Sequence, residues 1–151
     1  MRRFSLFLVA SLGLICVSGS KKETHVVTFH VQADATTSPK RKFEWPVGSQ
    51  YFYEKSPALH WRHIQAYAPF AGDDGLWGAV FQLSSSGRNA LRSAVSRAQG
   101  RYLICVVQGE PRGILLMDHT VEDGLIVQWE RLTGEDLALF DKHFARAAET
   151  E

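Results

Sequence analysis

The hexapeptide YLICVV at residues 102–107 constrains the fold most, because it is apolar at both alternating sets of positions. A strand of this composition must be covered on both faces, which is typical of the middle of a sheet in a layered domain. Gly100 precedes the strand and Gly109 follows it, so turns are expected on both sides. Cys105 lies inside the run, and we expect it to be a buried core residue rather than a reactive thiol.

Strand and helix patterns alternate on the N-terminal side of this run. Residues 78–83 predict a strand, and the three serines that follow it predict the cap of a helix. Apolar residues, most of them small, then recur at helical spacing up to Ala98, so this helix is expected to lie close to a sheet. Gly100 is placed to end it.

The C-terminal side predicts two more strands and a second helix. Residues 109–111 predict a turn, and strands are expected at residues 114–117 and 125–129. Thr133 and Asp136 then resemble a capping box ahead of an apolar helical stripe.

Short turns between these strands favour hairpins. The predicted fold class is therefore α+β, with a mostly antiparallel sheet and two helices packed on one face. The side chains expected in its core are Leu91, Val95, Ile104, Leu115, Val127, Phe140 and Phe144.

The first 20 residues differ from the rest of the chain. Arg2 and Arg3 precede an apolar run at residues 4–17, and small residues follow, which is the order of a secretory signal peptide. We therefore expect an exported protein, periplasmic or extracellular. A retained membrane anchor through residues 4–17 is the less favoured alternative, because the run is shorter than the roughly 20 residues that a spanning helix needs.

The net charge does not indicate strong binding to nucleic acid or to anionic membranes. Without Arg2 and Arg3, 15 basic residues stand against 16 acidic ones, so the remaining chain is nearly neutral. Nucleic-acid binding is not indicated.

Residues 21–56 predict an N-terminal strand and hairpin extension, and residues 57–151 predict the main domain. Val27, Phe29 and Val31 alternate with polar residues, as in a half-buried strand. The stretches on either side of the turn at Gly48 and Ser49 predict a short hairpin.

No catalytic, cofactor or metal residues are predicted. The serines at residues 84–86 match neither a nucleophile elbow nor a phosphate loop, so helix capping accounts for them. His60 and His63 would put both rings on one side only if their segment were helical, and no acid or cysteine completes a metal site at a suitable spacing. His25 and His30 are expected on opposite faces of a strand, and Asp118 with His119 forms at most a weak pair.

Aromatic residues crowd into the loop-rich stretch at residues 45–77, and arginines line one face of the first predicted helix. Amphipathic aromatics outside regular elements are common at binding surfaces, although an irregular segment that fills the core explains them equally well. The residues proposed to contact a partner are Trp45, Tyr51, Tyr53, Trp61, Trp77, Arg88 and Arg92.

Four segments carry a resemblance to a known family: PALHWRHIQAYAP, GAVFQLSSSGRNAL, GRYLICVVQGEPRGILLM and DGLIVQWERLTGEDLALF. In this order they resemble the soluble periplasmic head of SecD, the protein-export subunit, over residues 57–145. The matching positions are mostly turns, caps and core residues: Phe81, Leu83, Gly87, Leu91, Gly100, Arg101, Gly109, Gly124, Thr133 and Leu137.

The resemblance implies a SecD-head-like fold and contact with unfolded or translocating chains. The function expected from the sequence is an exported, non-catalytic domain that binds protein segments or another envelope component. Two alternatives stay open: a hydrolase or metal-dependent enzyme that uses His60 and His63, and a structural envelope protein.

Overall fold

A computed structural model describes residues 25–72, 75–117 and 123–147. The predicted signal peptide and the Asp118–His119 pair lie outside these residues. No helix among them is long and apolar enough to cross a membrane. The strands are β1 (Val27–Val31), β2 (Lys42–Glu44), β3 (Phe52–Glu54), β4 (Leu59–His60), β5 (Ile64–Ala71), β6 (Trp77–Leu83), β7 (Tyr102–Val107), β8 (Glu110–Leu116), β9 (Leu125–Leu132) and β10 (Ala145–Arg146). The helices are α1 (Ser85–Ala98) and α2 (Gly134–His143), and single 3-10 turns occupy Pro39–Arg41 and Trp61–His63.

The strands form two four-stranded sheets and a two-stranded hairpin. The first sheet has the order β4-β1-β7-β8, the second has the order β10-β5-β6-β9, and β2 pairs with β3. All pairs are antiparallel except β10 with β5. The predicted α+β class with a mostly antiparallel sheet and two helices is confirmed. Strands β4, β5 and β10 had no counterpart in the prediction. β4 and β10 are two residues long and carry no sequence periodicity, and the stretch that contains β5 does not commit to one period.

The main core lies between the inner faces of both sheets and the helices. Phe29 of β1, Phe81 of β6, Leu91 of α1 and Phe140 of α2 all belong to one buried cluster. The rings of Phe81 and Phe140 meet edge to face, with 5.4 Å between their centroids. Such contacts add to the stability that burial of apolar area provides.

The predicted core residues have three different outcomes. Leu91, Ile104, Phe140 and Phe144 are buried. Val95 and Leu115 are partly buried against the main core. The prediction that Val127 lies in the core was wrong. Ile126 and Gln128 are the inward residues of β9, and Val127 lies on the opposite face of the strand. The apolar run LIV does not show which of its neighbours point inward.

Both predicted helix caps are present. The Ser84 hydroxyl accepts a hydrogen bond from the Gly87 amide at 3.2 Å, and Thr133 and Asp136 cap α2 reciprocally. The predicted turn at residues 109–111 was displaced. The turn lies at Gln108 and Gly109, which both have positive φ angles, and Pro111 lies within β8 opposite Val106, at an irregularity in the pairing. Proline is tolerated at such a position because it has no ladder hydrogen bond to lose.

Strand β1 lies in the middle of the first sheet, between β4 and β7. All five of its residues are buried, whereas the sequence indicated a half-buried strand. Val27, Phe29 and Val31 face the main core, and the β2–β3 hairpin covers the opposite face. The division of the chain at residue 56 stays a prediction.

Candidate binding groove

The β2–β3 hairpin packs on the outer face of the first sheet and forms a second, smaller core there. Tyr53 of β3 is 1% exposed and is buried with Ile104 and Val106 of β7, while Phe43 and Trp45 pack at the margin. The backbone amide of Ala33, just after β1, donates to the Phe52 carbonyl at 2.8 Å, which ties the hairpin to the end of that strand. The hairpin is therefore anchored at one end of the sheet.

A cavity of about 700 Å³ opens between this hairpin and the sheet, and we call it the hairpin groove. Its volume falls in the range of small-ligand and side-chain pockets. Apolar side chains form much of its wall, polar side chains of β1 line it, and Glu44 and Lys55 add charged groups. The lining residues are His25, Thr28, His30, Phe43, Glu44, Trp45, Lys55, Pro57, Val106, Gln108, Gly109 and Pro111.

His30 lines the groove, and both of its ring nitrogens form hydrogen bonds. Nδ1 lies 2.8 Å from the Glu54 carbonyl oxygen, so Nδ1 carries the proton and donates it. Nε2 then accepts from the Thr28 hydroxyl at 2.9 Å. Burial lowers the pKa of His30, against the opposing effect of the bond to the Glu54 carbonyl. The neutral ring is therefore the favoured form.

His25 and His30 were expected on opposite faces of a strand, and this was wrong. Both line the hairpin groove, and the pKa of His30 is lowered further by the nearby His25. The alternation rule fails here because His25 precedes β1, which begins at Val27.

Of the residues proposed for partner contact, Trp45 lines the groove. It is half-buried, and the Arg131 guanidinium lies 5.9 Å from its ring centroid. Lys55 and Glu44 also line the groove and supply one charge of each sign. The groove can therefore take an apolar group beside Trp45 and still offer polar contacts to a backbone or a charged terminus.

The other residues proposed for partner contact do not line this groove. Tyr53 is in the interior, so it supports the hairpin and offers no surface, and burial raises its pKa to about 12. Tyr51 is exposed on the hairpin, Trp77 is exposed at the start of β6, and Trp61 lies against His143 with 5.8 Å between ring centroids. Arg88 and Arg92 are exposed on α1.

The alternation in β1 predicts that Thr28 and His30 face solvent, whereas both are buried. The signal that could have found this site is the pair Thr28-x-His30, in which two hydrogen-bonding side chains share one face of a strand. Val106, Pro57 and Pro111 were missed because nothing local to these residues shows that the hairpin folds over them.

His60 and His63 do come together, but in a closed arrangement. Their rings stack with 3.9 Å between centroids, and the His60 amide donates to Nδ1 of His63 at 3.4 Å. The side chain of His60 in turn accepts from the His63 amide, so the pair caps its own 3-10 turn. Burial, and secondarily His60, lowers the pKa of His63. Within the described parts of the chain, no group of three or more His, Cys, Asp or Glu residues is placed to hold a metal ion.

A partly buried ion pair joins β8 to α2. Nε of Arg112 donates to Oδ2 of Asp136 at 2.7 Å, and a terminal nitrogen donates to Oδ1 at 3.0 Å. Asp136 also accepts a hydrogen bond from the Thr133 amide, so one carboxylate caps the helix and holds β8.

The pKa of the Cys105 thiol is raised by burial, which keeps the thiol protonated and unreactive.

The fold is similar to that of SecDF in two solved structures. A crystal structure of SecDF in a super-membrane-facing form matches 81% of this chain with a TM-score of 0.56 and 12% identity. A second structure, of SecDF as a membrane component that enhances protein export, matches 85% of this chain with a TM-score of 0.57 and 13% identity. The SecD-head-like fold predicted from the sequence is thereby confirmed.

The matches cover different shares of the two SecDF chains. This chain spans 19% of the first and 69% of the second. No protein-family model and no curated protein sequence matches the chain.

Proposed function

We propose that this protein is an exported, non-catalytic domain that binds segments of other proteins in the hairpin groove. The observation that carries the proposal is the groove itself, where Trp45, Val106 and Pro111 line one cavity with the polar groups of His25 and Lys55. Hydrophobic walls with a few polar groups suit an extended peptide, whose side chains need apolar contacts and whose backbone needs hydrogen bonds.

The similarity to SecDF supports a protein-export context for this activity. One of the matched structures is of a membrane component that enhances protein export. In that context the ligands are translocating or incompletely folded chains, or another envelope protein. The apolar run at residues 4–17 supports delivery across the membrane, and cell fractionation with N-terminal sequencing of the exported protein tests that step.

Among the residues that the structure describes, no arrangement favours the enzyme alternative built on His60 and His63. Nδ1 of His63 and the side chain of His60 take part in hydrogen bonds within their own turn. A general base or a metal ligand needs a ring nitrogen directed at a substrate or an ion.

Photo-crosslinking to an unfolded, apolar model polypeptide tests the proposal. We expect Trp45→Ala to weaken binding at least about tenfold, as loss of a central aromatic anchor does in protein interfaces. Trp129→Ala is the matched control, because Trp129 is 69% exposed on β9 and lies outside the groove. Trp77→Ala tests the aromatic contacts expected elsewhere on the surface.

Folding of each variant is checked by circular dichroism. Equal crosslinking of Trp45→Ala, Trp129→Ala and the wild type would exclude the groove as the binding site. Loss with Trp77→Ala alone would place the contact at the start of β6 instead. Failure of the folded wild-type protein to crosslink at all would favour the structural envelope protein.

A further inference from the structure

A second cavity, of about 500 Å³, lies beside the hairpin and is lined largely by polar side chains. Three segments surround it: the loop at residues 34–38, the 3-10 turn Pro39–Arg41, and residues 54–56 at the end of the hairpin. The Lys55 amide donates to the Arg41 carbonyl at 2.8 Å, and the Arg41 amide donates to the Ser38 carbonyl at 2.9 Å. These bonds hold the three segments together.

Both carboxylates of this cavity are already neutralised by arginines from outside it. Oδ2 of Asp34 lies 3.4 Å from Arg101, and Oε1 of Glu54 lies 2.8 Å from Arg97. Asp34 also accepts hydrogen bonds from the Thr36 and Thr37 hydroxyls, which hold the pKa of this carboxyl well below its usual range. Both acids of the cavity are therefore engaged by arginines.

The basic side chains of the cavity are not balanced in this way. Lys40, Arg41 and Lys55 line it, and none of the three forms an ion pair with any residue in the described part of the chain. Ser38 and Ser56 add hydroxyl groups to the same wall. Three unpaired cations with two hydroxyls form a donor set for an oxyanion, since guanidinium and ammonium groups both bind phosphate oxygens.

We propose that this cavity binds a phosphate group, with Lys40, Arg41 and Lys55 as its cationic ligands. The site is separate from the use of the hairpin groove for protein segments, although Lys55 lines both cavities. The phosphate comes either from a free inorganic ion or from the headgroup of an anionic lipid. The recognition chemistry is the same for both.

Calorimetric titration of the purified protein with inorganic phosphate, at low ionic strength, tests the first source. A double variant, Lys40→Gln with Arg41→Gln, is expected to bind phosphate at least about tenfold more weakly. These positions spare Lys55 and therefore leave the hairpin groove intact. The matched control is Arg92→Gln with Lys142→Gln, which removes the same two charges from exposed positions on the helices.

Sedimentation with vesicles tests the second source. Binding to phosphatidylglycerol vesicles but not to phosphatidylcholine vesicles, lost in the Lys40 and Arg41 double variant, would identify the headgroup as the ligand. Equal losses in the control double variant would mean that net charge alone is responsible, and would overturn the proposal. Absence of both phosphate binding and vesicle binding in the folded wild-type protein would overturn it as well.

Discussion

Whether a side chain of β1 is buried depends on which other segment packs over it. Thr28 and His30 alternate with apolar residues as on a solvent-facing strand surface, yet both are buried because the hairpin lies over them. Two hydrogen bonds compensate for the loss of hydration of the buried His30 ring, and one of them is to the Glu54 carbonyl of β3. The groove therefore contains a histidine whose charge state is coupled to the packing of the hairpin.

This coupling predicts a loss of stability on acidification. Burial lowers the folded-state pKa of His30 below its ordinary value of 6.5, so the unfolded chain binds more protons once the pH falls below that value. The stabilisation is complete above about pH 6.5 and is lost as the pH falls toward the folded-state pKa. We expect the free energy of unfolding in urea to decrease over this window, and to decrease less steeply in His30→Gln.

The slope with pH is the quantity to compare, because His30→Gln also removes hydrogen bonds and is less stable at every pH. The pKa of His63 is lowered by burial as well, so part of the slope remains in the variant. An identical slope in both proteins would show that His30 does not titrate in this way.

At the scale of elements, the contacts of a helix depend on small residues at particular positions. Gly87 of α1 lies against the 3-10 turn Trp61–His63, and a Cβ atom added there would be 2.5 Å from the His63 carbonyl oxygen. The Ser84 amide donates to the same carbonyl at 2.9 Å. The helix and the turn are therefore in direct backbone contact, and neither has a flexible side chain at this point that could move aside.

Gly87→Ala is expected to lower the free energy of unfolding by about 1 to 3 kcal/mol, as overpacking in a core does. Gly134→Ala is the matched control in the first turn of α2, where an added Cβ would meet no atom within 4 Å. It is expected to be neutral or to add up to about 1 kcal/mol through helix propensity. Urea denaturation of both variants measures the difference, and equal stability would argue against the close contact at Gly87.

At the scale of the whole molecule, the chain is held together by pairing between distant segments. β1 lies between β4 and β7, and it supplies Val27, Phe29 and Val31 to the main core. Burial of each of these side chains is worth about 1.5 to 3 kcal/mol. The three together approach the total stability of a small domain, which is about 5 to 15 kcal/mol.

A truncated chain of residues 57–151 is therefore expected to lack a cooperative unfolding transition, whereas residues 25–151 are expected to keep one. Thermal unfolding followed by circular dichroism measures this. The experiment also tests the predicted domain boundary at residue 56, since a cooperative transition in residues 57–151 would establish that segment as an independent domain.

The sequence alone determined the order and approximate positions of the strands and helices from β6 to α2, because caps, turns and apolar periodicity are local properties. Ser84, Thr133 and Asp136 act as the helix caps that the sequence predicted, and β7 is the central, doubly covered strand expected from YLICVV. The order of these motifs also sufficed to predict a SecD-head-like fold.

Only the tertiary structure decided which faces are covered and which residues share a cavity. Tyr53 is interior and Trp45 lines a groove, although both belong to the same short aromatic stretch. Val127 faces away from the core while its neighbour Ile126 faces inward. These differences arise from contacts between segments far apart in the chain, and such contacts leave no periodic signal in any one segment.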